Sequence, residues 1–89
     1  MMGVRWFAKN AKVVMVMKVN IPEIKRLRKQ RRMSQQDMAK LLGHNNLWAY
    51  WRQENGEVPF TAEQLYTIAN HFGVPIGSLY AQEFAENAK

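Results

Sequence analysis

Apolar residues change their spacing several times along this chain, and each change marks an element. Lys12 to Asn20 is β-branched and Met-rich and reads as a strand, whereas Met1 to Ala11 shows no clear period. From Pro22 to Arg32 the spacing becomes helical, with Ile24, Leu27 and Arg31 on one face. A short helix from Gln35 to Leu42 gathers Met38, Ala39, Leu41 and Leu42 on one side, and a third runs from Leu47 to Asn55. In a fourth, Leu65, Ile68, Ala69 and Phe72 form a core-facing stripe. Ile76 to Gln82 is expected to be a fifth helix with Leu79 inward, and Glu83 to Lys89 a fraying tail. The fold class is therefore all-α with an N-terminal extension.

Capping residues sharpen these boundaries. Pro22 suits a first helical position after Asn20 or Ile21. Ser34 is a good N-cap, and Gly43 follows the last apolar residue where a left-handed C-cap is wanted. Thr61 and Gln64 complete a capping box, with Phe60 and Leu65 at the hydrophobic-staple positions. Gly56 and Gly73 close the third and fourth helices. The segment Met33–Gly56 thus predicts two short helices around a tight glycine turn, the unit that lays one helix in the DNA major groove.

With 89 residues the chain makes one domain with a modest core. The boundaries expected are an extension or arm at 1–20, a helical domain at 21–82 and a tail at 83–89. A lone strand has no partner within a helical bundle, which leaves pairing with a second copy, packing as an arm, or no fixed structure. Residues 1–16 also read as an upstream extension with little function of their own. Absence of cysteine excludes disulfides, thiolate chemistry and Cys-ligated zinc. No apolar run is long enough to cross a bilayer, and Val13–Met17 is too short for a signal-peptide core, so a cytoplasmic protein without a membrane partner is expected.

Charge adds direction. Residues 1–32 carry ten Lys/Arg against Glu23, a net of +9, and residues 33–89 carry three Lys/Arg against six acids, a net of −3. A basic half suits a polyanion, since each neutralised phosphate releases counterions.

Ile24 to Tyr80 resembles the lambda-repressor-like helix-turn-helix domain of the phage repressor, Cro and XRE family. The residues that carry the resemblance are Arg28, Met33-Ser34-Gln35, Met38-Ala39, Leu42-Gly43, Tyr50, Arg52, Glu54-Asn55-Gly56, Val58-Pro59-Phe60 and Leu65 through Phe72-Gly73-Val74. The resemblance implies a five-helix bundle, a structural ion pair between Arg28 and Glu54, and a phosphate contact from Gln35 at a helix N-terminus. It also implies double-stranded DNA as partner, a homodimer, and base reading from the N-terminal half of the third helix. The DNA-binding set expected on this basis is Gln35, Asn45, Asn46, Leu47, Trp48, Trp51, Arg52 and Asn55. One residue more than the family's usual spacing separates Gly43 from Tyr50, within His44-Asn45-Asn46, which leaves the register of that helix open by one. Leu47, Trp48 and Trp51 are also unusually apolar for a reading face.

Other chemistry finds little support. His44 and His71 have no ligand constellation around them, so no metal is expected. No nucleophile–base pairing is readable, so neither catalytic residues nor a cofactor is expected, and Phe60, Tyr66 and Phe72 are read as core. The leading expectation is a sequence-specific transcriptional regulator, a repressor of Cro/XRE type. The alternatives are a protein-interaction module such as an antitoxin, motivated by the Trp-rich third helix, and non-specific nucleic-acid binding through the basic half. Tyr80 and Phe84, or the N-terminal strand, are the candidates for a dimer surface.

Overall fold

The computed structural model describes residues 13–86, with side chains described over 18–81. The segment before Val13 and the last three residues of the expected tail lie outside the described residues. The element order is β1 (Val13–Val19), α1 (Ile21–Gln30), α2 (Gln35–Leu41), α3 (Leu47–Glu54), α4 (Ala62–Phe72), a 3-10 turn (Ile76–Leu79) and β2 (Tyr80–Glu86).

Each helix starts where a short polar side chain can take an orphan amide. Asn20 accepts from the Glu23 amide at 3.2 Å, with Pro22 in the first turn. Ser34 and Asp37 exchange bonds of 3.0 and 2.8 Å in a reciprocal box, as Thr61 and Gln64 do at 3.1 and 3.0 Å. Gly43 sits at φ +79, the left-handed geometry that reverses the chain after α2, and it lets the His44 amide reach back to the Ala39 carbonyl at 2.9 Å. Between α1 and α2 the corresponding left-handed position, φ 57, is held by Arg32.

The core is one cluster drawn from every helix: Ile24, Leu27, Met38, Ala39, Tyr50, Phe60, Leu65, Ile68, Ala69, Phe72 and Leu79. The stripe expected on α4 is buried at all four positions. Phe60 meets the Tyr50 ring edge-on, centroids 6.2 Å apart. Arg31 reaches across from the end of α1 to the end of α4, with Nη2 donating to the Phe72 carbonyl at 3.0 Å and its guanidinium 5.4 Å from the Phe72 ring centre. Tyr66 departs from expectation: it is 63% exposed on α4 and takes no part in the core.

The larger departure is at the C-terminal side. The fifth helix is absent; Ile76–Leu79 forms a single 3-10 turn, and the chain then extends as β2 through Glu86. β2 pairs antiparallel with β1 in the register Val13↔Glu86 to Val19↔Tyr80, and the Asn20 amide extends the contact to the Leu79 carbonyl at 2.7 Å. The strand expected near the N-terminus therefore finds its partner within its own chain. Tyr80 and Phe84, expected as helical dimer contacts, stand opposite Val19 and Met15 in this ribbon. The described fold is four α-helices and a two-stranded ribbon.

Candidate nucleic-acid interface

Three side chains fix α3 against the rest of the molecule: Tyr50, Gln53 and Glu54, all buried. Glu54 is 3% exposed and accepts four hydrogen bonds. Arg28 Nε and Nη2 donate to its two oxygens at 2.8 and 3.2 Å, Gln35 Nε2 at 2.7 Å and the Tyr50 hydroxyl at 2.8 Å. A third Arg28 nitrogen donates to the Met33 carbonyl at 2.9 Å, in the turn that enters α2. The Arg28–Glu54 pair thus ties α1, the α1–α2 turn and the end of α3 into one unit. Burial alone would push the Glu54 carboxyl up, but the donors from Arg28, Gln35 and Tyr50, with the Arg28 charge, outweigh it and hold the carboxyl below its ordinary range. Burial, and then the bond to Glu54, raise the Tyr50 phenol far above its usual value.

Gln53 forms a second anchor that sequence reasoning missed. Its oxygen pairs with His44 Nε2 at 2.9 Å, and its nitrogen donates to the Pro59 carbonyl at 3.1 Å and to Gln64 Oε1 at 2.6 Å. Gln64 is also the N3 member of the α4 capping box, so this chain of bonds runs from the α2–α3 turn through α3 to the start of α4. The signal was present: Gln53 continues the inward stripe of Tyr50, and a polar residue on such a stripe needs a partner. Among the described residues, no buried side-chain nitrogen or oxygen lacks one.

With Tyr50, Gln53 and Glu54 turned inward, helical spacing directs Trp48, Arg52 and Asn55 to the opposite side, with Trp51 beside them. Trp48 is 58% exposed, and its ring meets the half-buried Trp51 edge-on at 5.6 Å. Arg52 is exposed, and its side chain makes no hydrogen bond or ion pair among the described residues. Asn45 is exposed in the turn, and Leu47, half-buried, opens the helix. Asn46 is the N-cap of α3, its oxygen taking the Ala49 amide at 3.2 Å. His44, Asn45 and Asn46 precede Leu47 in the turn, and α3 begins with Asn46 as its cap. Asn55 sits at the far end, where its amide nitrogen is bonded to the Trp51 carbonyl at 2.8 Å.

Gln35 opens α2 as expected, but one of its amide hydrogens is committed to Glu54. The expected set therefore divides: Trp48, Trp51, Arg52 and Asn55 share one face of α3, Asn45, Asn46 and Leu47 gather at its start, and Gln35 stands apart at the start of α2. The first turn of α3 carries no acid, whereas α1, α2 and α4 carry Glu23, Asp37 and Glu63 there. The positive end of the α3 dipole is left without a carboxylate of its own helix.

Among the described residues no group of three or more His, Cys, Asp and Glu is placed to hold a metal ion, and no helix is long and apolar enough to cross a membrane. Two short helices about a left-handed glycine, the second locked inward on one side and open on the other, define the helix-turn-helix class of DNA-binding folds. A family model described as a helix-turn-helix domain matches residues 23–83, and the chain belongs to that family. Searches among curated proteins and among solved structures returned no match.

Proposed function

We propose that this chain is a sequence-specific transcriptional regulator, a repressor of Cro/XRE type, that reads double-stranded DNA with the outward face of α3. The observation that carries the reading is the division of α3 into a locked inner face and an open outer one. Gln53 and Glu54 bond to three other elements and the buried Tyr50 bonds to Glu54, while Trp48 and Arg52 stand in solvent. A reader needs that combination, because a base-reading side chain discriminates only if the helix beneath it does not move. Asn45, Asn46 and Leu47 at the start of α3, and Asn55 at its end, complete the proposed base-facing set, with Gln35 as a phosphate donor at the start of α2. Residues 21–82 form the proposed DNA-binding domain, acting in the cytoplasm.

A single small reader makes few phosphate contacts, so the proposed working form is a homodimer with reading helices about 34–36 Å apart. The test is selection of bound duplexes from a random pool, followed by a salt titration on the enriched sequence. The expected outcome is a two-fold symmetric site whose affinity falls several-fold when salt is doubled. Binding that ignores sequence, or that ignores salt, refutes it.

The 58% exposure of Trp48 favours one second reading, a protein-interaction module such as an antitoxin, because an exposed indole is also a common anchor at protein interfaces. A pull-down set beside the duplex selection separates the two. Enrichment of a protein with no enriched duplex decides for the module.

A further inference from the structure

The outer face of α3 pairs an apolar platform with one cation, and that chemistry narrows what the face reads. An indole carries a single N–H donor and no acceptor, so it cannot match the paired donor–acceptor pattern of a base edge. What Trp48 offers a duplex is apolar surface. Its edge-to-face contact with Trp51 at 5.6 Å and 74° holds the exposed ring in place before any ligand arrives. The major groove presents one apolar group on its base edges, the C5 methyl of thymine.

The surroundings favour a polyanion over an apolar protein groove. Arg52 is exposed on the same face, the first turn of α3 carries no acid, and Glu54 is turned inward with its charge met by Arg28. The apolar patch is flanked by a single cation, Arg52. The geometry points to the Trp48–Trp51 pair as a reader of pyrimidine C5 methyl groups: the pair packs against thymine methyls in the major groove while Arg52 holds the adjoining polar or phosphate group. This rests on the duplex-reading role proposed above and specifies its ligand as a half-site with thymine beneath the start of α3.

The experiment starts from the duplex enriched by selection and replaces each thymine, one at a time, with deoxyuridine, which removes only the methyl. Affinity is followed by anisotropy of the labelled duplex. At one or two positions per half-site the wild type is expected to lose about fourfold per methyl, the factor equivalent to ~0.8 kcal/mol for one buried carbon. At the same positions, 5-methylcytosine in a C·G variant is expected to regain a similar factor over unmethylated cytosine. Trp48→Ala is expected to bind both the thymine and the deoxyuridine duplex equally, with its salt dependence retained. Because Trp48 is largely exposed, this variant should keep its melting temperature, which is measured alongside.

Salt-dependent, sequence-selective binding that is indifferent to every deoxyuridine overturns this inference and leaves the duplex-reading role standing. So does a Trp48→Ala protein as methyl-sensitive as the wild type. Undiminished duplex affinity in that variant likewise overturns it. No enriched duplex at all removes the proposed function itself, and this inference with it.

Discussion

Replacing Arg28 with Met would test whether the Arg28–Glu54 pair holds the helix-turn-helix together. The substitution keeps the apolar stem and removes three donations, two to Glu54 and one to the Met33 carbonyl. Glu54, its side chain 2% exposed, would keep only the Tyr50 and Gln35 bonds and lose its counter-charge. Stranding a buried charge in this way costs about 3–5 kcal/mol. A domain of 89 residues has a total stability of roughly 4–13 kcal/mol, so the loss is about a quarter of the whole or more. The pH dependence gives a second reading. In the wild type the folded carboxyl lies below its ordinary range, so its contribution is complete above that range and is lost as acid protonates it. In the variant, loss of the Arg28 bonds and charge raises the folded value relative to the wild type, so acidification relieves part of the penalty. The stability gap between wild type and variant should therefore narrow from about pH 7 to about pH 4. Adding Glu54→Gln to the variant removes the stranded charge and should recover part of the loss at neutral pH. Urea unfolding followed by helical circular dichroism measures all three proteins. A loss below ~1 kcal/mol, a gap that does not narrow in acid, or a double variant weaker than Arg28→Met would refute the reasoning.

Three further substitutions probe separate features. Arg32→Gly should raise stability by roughly 0.5 kcal/mol, since relief of left-handed strain (about 1–2) exceeds the added freedom of the unfolded chain (about 0.4–1); a lower melting temperature would contradict it. Gln53→Leu should cost about 1–3 kcal/mol in urea unfolding by depriving the Pro59 carbonyl and His44 of their partner, and an unchanged midpoint would mean that water replaces it. Arg52→Ala should broaden the base preference recovered from a random duplex pool while changing stability by less than ~0.5 kcal/mol; an unaltered preference would remove Arg52 from the reading set.

Local chemistry made the central part of this fold legible before any coordinates. Ser34, Gly43, Thr61 and Gly73 each act through neighbours within four residues, so their capping roles can be read along the chain. The stripe on α4 is equally local. Tyr80 to Glu86 is different. Its Ala, Gln and Glu content favours a helix, and only the β-rich partner at Val13–Val19, far away in sequence, draws it into a strand. Tyr66 is of a type that fills cores, yet it stands outside the stripe of Leu65, Ile68, Ala69 and Phe72 that defines the buried face. On the candidate site, the resemblance implies the Arg28–Glu54 pair, and Tyr50 lies one turn before Glu54 on α3 itself, but the Gln35 donor comes from α2, whose placement against α3 no local pattern records.

The β1–β2 clasp has a consequence during synthesis. Val19 and Tyr80 are about 60 residues apart, so at roughly 5–20 residues per second the first strand leaves the ribosome some 3–12 s before its mate. The four helices lie wholly between the two strands and can collapse in that interval, while Val13–Val19 waits with its backbone bonded only to water. For those seconds the nascent chain carries an open, valine-rich edge that another copy on the same messenger can capture, and crowded translation is where this protein is most exposed to misassembly.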